Sequence, residues 1–594
     1  MQSHRNRRWA LVGWLLTAAL GPAAAESFDD YEVLAAERVA QAAESDLLSA
    51  GLGLSGLQAS PPGFADARAP TAGELRRLAI HNAWNALAIL GPSGGVGEEA
   101  VLAELPQIGG REISALLRLP GASQPFRVLV QIPARAARDP ACLLVAPASG
   151  SRGVYGAIQL AGPGGLMRGC AVAYTDKGAG TDFQTFDDGR ATDLAGTRVA
   201  IDDADLPFKL SAEEVPDAAS VAIKHLHSGD HPEADWGRHV LAAAHFGREQ
   251  LRQQLGDQTA VRIVAVGLSN GGGAALRAAE RDTAGLLDGV VAVMPNITPP
   301  GQPPLYDYAT LAALYQPCTL ADAERTQTLP LGNPLLAMAG QQRCNSLAAA
   351  GLLEEASAAA ATEVLVKAGF DEGALRLAAS SVALDLWRVV ASGYASAYLR
   401  RGPGDMPCGY ALSAAEAGLQ QRAAWWATHS GVGPGGGISL DDGLAQGEDE
   451  TLPGLQCLRA LWTGEGPNSV ALRRAVEATR ASARLPSIPV LIVHGREDGL
   501  IPASLSSRPY VAAARERGAE TLAYWEVERA QHFDALLNVP GVADQLVPIL
   551  PYGWLAIEQV LAGLAGHSEL GGDRRFAPQP GAAVMTRRSM GLTD

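Results

Sequence analysis

The sequence predicts an α/β protein: a doubly wound, mostly parallel sheet interrupted by one large, mainly helical insertion. Two patterns carry this expectation. Strand-like runs at 112–119, 126–132, 142–146, 170–174, 261–266 and 289–294 alternate with helical stretches such as 236–255, and two more strands follow within 488–502 and 521–527. Between 295 and 484 the alternation stops, and Ala and Leu recur at helical spacing over 346–368 and 373–399, with Gly/Pro loops such as 431–437.

A chain of 594 residues is long for one such core. The expected parts are a signal peptide over 1–25, the first part of the core over 26–294, the inserted helical cap over 295–484, the second part of the core over 485–566 and a loosely ordered tail over 567–594. Within the first part, 31–50 has a helical pattern, and a Gly-rich then Pro-rich stretch covers 51–73.

The segment 261–282 reads VRIVAVGLSNGGGAALRAAERD: a β-branched run, then Gly267-Leu268-Ser269-Asn270-Gly271, then an Ala-rich helix. This is a nucleophile elbow, the strand, tight turn and helix that hold one serine in a strained conformation with its Oγ clear of the sheet. A bare G-x-S-x-G arises easily by chance among 67 glycines; the strand before it and the helix after it are what give it weight. Ser269 is the expected nucleophile of an α/β-hydrolase-like core.

In that arrangement the acid and the base follow the serine in the order Asp or Glu, then His. The apolar run IPVLIVHG ends at Gly495 and puts Asp498 just past a strand end, while His532 lies on the loop after the strand-like TLAYWEV. Taken singly, Asp498 reads equally well as a turn carboxylate and His532 as a solvated histidine. Taken together with Ser269 they form a nucleophile, an orienting acid and a general base. Asp176 and, less well placed, Asp534 are the rival acids. The oxyanion donors are expected at Asn270 N–H and in the loop after 142–146, at Gly150 and Ser151. Arg152 and Lys177, each beside a glycine near the expected site, are candidate ligands for a substrate carboxylate, against the plain alternative of surface ion pairs.

Arg5, Arg7 and Arg8 precede an apolar stretch over 9–20, and Ala23-Ala24-Ala25 offers a cleavage site, so the chain is expected to be secreted or periplasmic. The residues after Arg7-Arg8 suit Sec export better than twin-arginine export. No later segment is long and apolar enough to span a bilayer, and no stable membrane insertion is expected. Six cysteines then read as disulfides, with sequential pairing favoured: Cys142 with Cys170, and Cys318, Cys344, Cys408 and Cys457 among themselves. A net charge of −16 with no local Lys/Arg run excludes broad attraction to nucleic acid. His225-Leu226-His227-Ser228-Gly229-Asp230-His231 is close to a zinc motif, but one extra residue before the Asp breaks the register, so capping and packing near the site is the expected role. No metal or organic cofactor is expected, and the oligomeric state is not readable.

Several segments resemble the D-(−)-3-hydroxybutyrate oligomer hydrolases: Ala146-Pro147-Ala148-Ser149-Gly150-Ser151-Arg152-Gly153, Tyr174-Thr175-Asp176-Lys177-Gly178-Ala179-Gly180, the run HLHSGDHPEADWG from His225, and Ser269-Asn270-Gly271-Gly272-Gly273 with Leu276-Arg277-Ala278-Ala279-Glu280. The resemblance implies hydrolysis of ester bonds in short (R)-3-hydroxybutyrate oligomers, with Ser269 at the family's nucleophile. No appended polymer-binding module is visible beyond core and cap, so dimer and trimer are expected to be better substrates than polymer. The alternatives within enzymes are a secreted tannase-like or feruloyl-type esterase or a serine peptidase; outside them, a non-catalytic binding protein on the same scaffold.

Overall fold

The computed structural model describes residues 31–594 other than 139, 203–205, 211–220, 429, 432–435, 568 and 593–594. The signal segment 1–25 and part of the loop 431–437 therefore lie outside the described residues. Ten strands form the central sheet: β1 (Glu32–Gln41), β2 (Gly110–Arg118), β3 (Phe126–Pro133), β4 (Ala141–Pro147), β5 (Ala171–Thr175), β6 (Val261–Leu268), β7 (Gly289–Val293), β8 (Val490–Gly495), β9 (Leu522–Val527) and β10 (Arg574–Phe576). Their spatial order is β1-β2-β3-β5-β4-β6-β7-β8-β9-β10. The pairs β1–β2, β2–β3 and β3–β5 are antiparallel, and from β5 to β10 every pair is parallel.

The apolar runs in the sequence follow from this topology, because a parallel strand buried on both faces has no polar side to alternate with. On one face, helices Pro232–Leu255 and Asn270–Arg281 pack Val240, Leu241 and Leu276 against Ile263, Ala265 and Val290. On the other, helices Ile158–Gly165 and Leu550–Leu564 pack Leu160, Trp554 and Ile557 against Leu144, Val266 and Val293. The chain leaves β4 toward β5 on one side and returns as β6 on the other. The loops at the ends of β4 and β6 thus diverge around a crevice, where ligands bind in open α/β sheets.

Between β7 and β8 lie helices Leu305–Thr319, Pro334–Ala349, Ala358–Lys367, Leu386–Tyr398, Leu452–Thr463 and Pro467–Ala478, together with shorter ones. This segment also holds a two-stranded sheet, Tyr410–Ser413 against Ser439–Asp442. Among the described residues no helix is long and apolar enough to cross a membrane. The six cysteines pair sequentially: Cys142–Cys170, Cys318–Cys344 and Cys408–Cys457. Cys142 starts β4 and Cys170 immediately precedes β5, its sheet neighbour.

Two expectations are corrected. The stretch 31–50 is not a helix; 32–41 is β1, an edge strand paired antiparallel to β2 with most of its residues exposed. Its Ala-rich sequence lacks the alternation of a half-buried strand, so its backbone pairing with β2 decides its form. The tail is also better held than its composition suggests. Arg574–Phe576 adds the last parallel strand, Phe576, Met585 and Met590 are buried, and Tyr552 Oη donates to the Met590 carbonyl.

Candidate active site

β6 ends at Leu268 and delivers Ser269 with φ 58° and ψ −125°, before the helix Asn270–Arg281 begins. A non-glycine residue there costs roughly 1–3 kcal/mol and persists only where its surroundings enforce it. The flanking glycines show the enforcement. A Cβ on Gly267 would stand 2.2 Å from the Gly271 carbonyl oxygen, and one on Gly271 would stand 2.4 Å from that of Pro147 at the end of β4.

Asp498 follows the end of β8 and His532 follows the end of β9, the strand beside it. His532 Nε2 lies 2.9 Å from Ser269 Oγ, and its Nδ1 lies 2.7 Å from Asp498 Oδ2. All three side chains are buried. The other Asp498 oxygen accepts the N–H groups of Leu500 and Ile501 at 2.9 and 2.8 Å. Burial alone would push the Asp498 carboxyl up; the neighbouring His532 and His494 imidazoles outweigh it and hold the group below the usual carboxylate range. A carboxylate only accepts, so His532 carries its proton on Nδ1 and turns the Nε2 lone pair to the serine. His494, which the sequence reading missed, lies 3.4 Å from Asp498 Oδ2 and bonds the Ile501 carbonyl at 2.9 Å, bracing the acid's turn.

The rival acids are elsewhere. Asp176 accepts from Arg127 N–H and Gly178 N–H and pairs with buried Lys224 at 3.2 Å. Asp534 accepts from the Ile549 and Leu550 N–H groups at the start of the last long helix, and burial pushes its carboxyl up to about 7.

The loop after β4 meets the elbow at the same crevice. The backbone N–H groups of Gly150, Ser151 and Asn270 have no hydrogen-bond partner among the described residues. The loop is pinned from behind. Lys177 Nζ donates to the Gly150 carbonyl, the Ser151 carbonyl accepts from Gly431 N–H at 2.7 Å, and Ser151 Oγ lies 2.7 Å from His225 Nδ1. On the elbow side, Asn270 Nδ2 donates to Tyr394 Oη at 2.6 Å and its Oδ1 accepts from Asn296 Nδ2 at 2.9 Å.

A cavity of about 640 Å³ opens over these groups, with Ser149, Gly150, Ser151, Arg152, Ser269, Asn270 and His532 on its floor. Its apolar wall comes from Leu305, Leu386, Val389, Val390 and Tyr394 of the inserted segment and from Leu500, Ile501 and Phe533 of the core loops. Arg152 lines this cavity, and burial pushes its guanidinium down to about 10, so it stays charged at neutral pH. Lys177 is a correction. It does not line the cavity but is fully buried, with Nζ on Gly150 and 5.7 Å from the centre of the Trp236 ring.

The histidine run before the long helix is not a metal cluster. His227 Nδ1 accepts from Ile223 N–H, His231 bonds the Ala475 carbonyl, Asp230 caps the Ser123 and Gln124 N–H groups, and His225 joins Ser151 to Glu233. No group of three or more potential ligands is assembled for a metal among the described residues.

The family model described as 3HB-oligomer hydrolase matches residues 30–575. Proteins named D-(−)-3-hydroxybutyrate oligomer hydrolase from Burkholderia mallei (strain ATCC 23344) and Burkholderia pseudomallei (strain 668) are each 36% identical over 620 aligned residues, covering 91% of this chain and 86% of theirs. Among solved structures, feruloyl esterase B from Aspergillus oryzae matches at 11% identity and a TM-score of 0.34, over 86% of this chain and 82% of its own. Tannin acyl hydrolase from Aspergillus niger matches at 12% and 0.34, over 78% and 79%. Scores at that level bear on neither fold nor substrate. The chain is a carboxylic ester hydrolase and belongs to the 3HB-oligomer hydrolase family.

Proposed function

We propose that this chain cleaves ester bonds in short, soluble (R)-3-hydroxybutyrate oligomers, dimer and trimer above all, through an acyl-enzyme on Ser269. The observation that carries the mechanism is the unbroken chain from Ser269 Oγ through His532 to Asp498 on the cavity floor. The substrate class is supported by the names of the relatives.

Ser269 Oγ attacks the ester carbonyl as its proton passes to His532 Nε2, and Asp498 stabilises the imidazolium. The tetrahedral oxyanion takes the N–H groups of Asn270 and of the Gly150–Ser151 loop. His532 then protonates the departing alkoxide, and water removes the acyl group by the same steps reversed. The helical segment serves as a cap: its leucines and valines give the methyl-bearing chain an apolar wall, and Arg152 holds the terminal carboxylate. Three disulfides support action in an oxidising compartment outside the cytoplasm.

Purified protein incubated with (R)-3-hydroxybutyrate dimer, trimer, polymer film, a feruloyl ester and a peptide amide should release acid fastest from dimer and trimer. Ser269→Ala should lower kcat by several orders of magnitude without loss of fold. Near wild-type turnover in that variant sinks the serine mechanism, and faster release from film or from the feruloyl ester sinks the substrate.

A further inference from the structure

The inserted segment reaches the elbow through Tyr394 of helix Leu386–Tyr398. Tyr394 Oη accepts from Asn270 Nδ2 at 2.6 Å, and Asn270 Oδ1 accepts from Asn296 Nδ2 at 2.9 Å. All three residues are buried. The Asn270 side chain is therefore pinned from both ends, by Asn296 just after β7 and by Tyr394 from the insertion.

The peptide between Ser269 and Asn270 is held as well. Its carbonyl, that of Ser269, accepts from Gly273 N–H at 3.0 Å and from Asn296 N–H at 2.9 Å. The carbonyl and the N–H of a trans peptide point in opposite directions, so these bonds leave the Asn270 N–H on the far side, without a partner among the described residues. Asn296 thus steadies the peptide with its backbone and the Asn270 side chain with its amide, and Tyr394 supplies the remaining support. Tyr394 is itself anchored on the core. Two positions on, Ser396 Oγ donates to the Leu226 carbonyl at 2.9 Å, and the Tyr394 ring stands edge-on to His225 with the ring centres 5.4 Å apart. The preceding turns of the same helix carry Val389 and Val390 to the cavity wall.

We infer that Tyr394 is a positioning residue for ester cleavage: its hydroxyl fixes the Asn270 side chain and, through it, the N–H that receives the oxyanion. The inference rests on the proposed acyl-enzyme at Ser269 and adds a residue of the inserted segment to its support. A side chain that only lined the wall would act on substrate binding. One that aligns a donor acts where charge develops on the carbonyl oxygen, because such a donor is effective only within about 2.7–3.1 Å of the place the oxyanion takes. Its loss therefore falls on kcat and leaves KM nearly unchanged.

The test measures kcat and KM on the (R)-3-hydroxybutyrate dimer and on its thionoester, in which sulfur replaces the oxygen of the scissile carbonyl. Sulfur is larger and a weaker acceptor, so a misplaced N–H costs the thionoester little, whereas a loss of folded enzyme scales both rates alike. Tyr394→Phe keeps the ring against His225 and removes only the hydroxyl. It should lower kcat on the dimer about tenfold, the contribution of one hydrogen bond, with little change in KM, and the ratio of kcat on ester to kcat on thionoester should fall by about the same factor. In Asn270→Ala, which keeps the backbone N–H, adding Tyr394→Phe should have no further effect, because the side chain through which the hydroxyl acts is gone. An unchanged ester-to-thionoester ratio in Tyr394→Phe, or a full additional loss in the double variant, overturns the inference and leaves ester hydrolysis standing. Dimer turnover that survives Ser269→Ala overturns the acyl-enzyme and the inference with it.

Discussion

Lys177 Nζ donates to the carbonyl oxygen of Gly150. In a trans peptide the C=O and the following N–H point in opposite directions, so the ammonium that holds this carbonyl from behind aims the Ser151 N–H forward, into the cavity. A lysine expected at the substrate is instead a positioning residue for the proposed oxyanion donor. Lys177→Met should lower kcat on the dimer by roughly 10- to 100-fold with little change in KM, since the lost alignment matters most when charge develops on the oxygen. A variant that folds and raises KM with kcat unchanged contradicts this role.

The same lysine gives a pH dependence. Burial pushes its ammonium down to about 8, against smaller upward pulls from Glu233 and Asp176 and a further downward push from Arg152. Below that value the charged donor holds Gly150; above it the proton is lost and the bond weakens. Wild-type kcat should fall as pH rises through about 8, and the fall should vanish from the kcat profile of Lys177→Met, which has no proton there to lose.

Asp498 and Asp176 separate catalysis from stability. Asp498→Asn should cut kcat by about 10⁴ in a folded protein, because the amide no longer fixes the proton on His532 Nδ1. Asp176 lies in a buried group with Lys224, Asp182 and Arg127. Asp176→Asn removes one charge of a balanced set and should cost ~3 kcal/mol of stability, read by urea unfolding, with a much smaller effect on kcat per folded molecule. The reverse pattern would move the acid to the earlier strand.

Legibility in the sequence follows the range of the interaction that fixes each feature. The elbow around Ser269 is local, so strand, glycines and helix can be read in a row; the adjacency of Asp498 and His532 follows from chain order and strand ends. Sequential disulfides are readable because Cys142 and Cys170 flank neighbouring strands. β1 is not readable, since an exposed Ala-rich edge strand shows neither period. Lys177 and His225 fail for another reason. Buried polar side chains are defined by partners, and those partners, Gly150 and Ser151, lie on a different loop, 27 and 74 positions away. The tail's Gly and Arg content hides the buried Phe576, Met585 and Met590 that anchor it.

The disulfide Cys318–Cys344 ties helix Leu305–Thr319 to helix Pro334–Ala349 across 26 positions. The first of these packs against helix Leu386–Tyr398, which carries Val389, Val390 and Tyr394 to the cavity wall. A loop of that length stabilises by about 3 kcal/mol in the chain-entropy account. Cys318→Ser with Cys344→Ser should lower the Tm and raise KM for the dimer more than it lowers kcat, because the wall loosens while Ser269 and His532 stay on the core. A drop in kcat alone would place the segment in the chemistry rather than in binding.

Arg152 follows Ser151 on the same loop, lines the cavity and stays charged at neutral pH. A free oligomer carries a carboxylate at the end opposite its hydroxyl, and a planar guanidinium can grip it with two charge-assisted hydrogen bonds. Methylating the carboxylate of the dimer should therefore raise KM in wild type by roughly 10- to 100-fold, the equivalent of ~1.5–3 kcal/mol. Arg152→Ala should bind the free acid as weakly as wild type binds the methyl ester, and should no longer distinguish the two. Equal KM for acid and ester in wild type would show that the carboxylate stays in solvent, and would leave Arg152 as a support for the oxyanion loop alone.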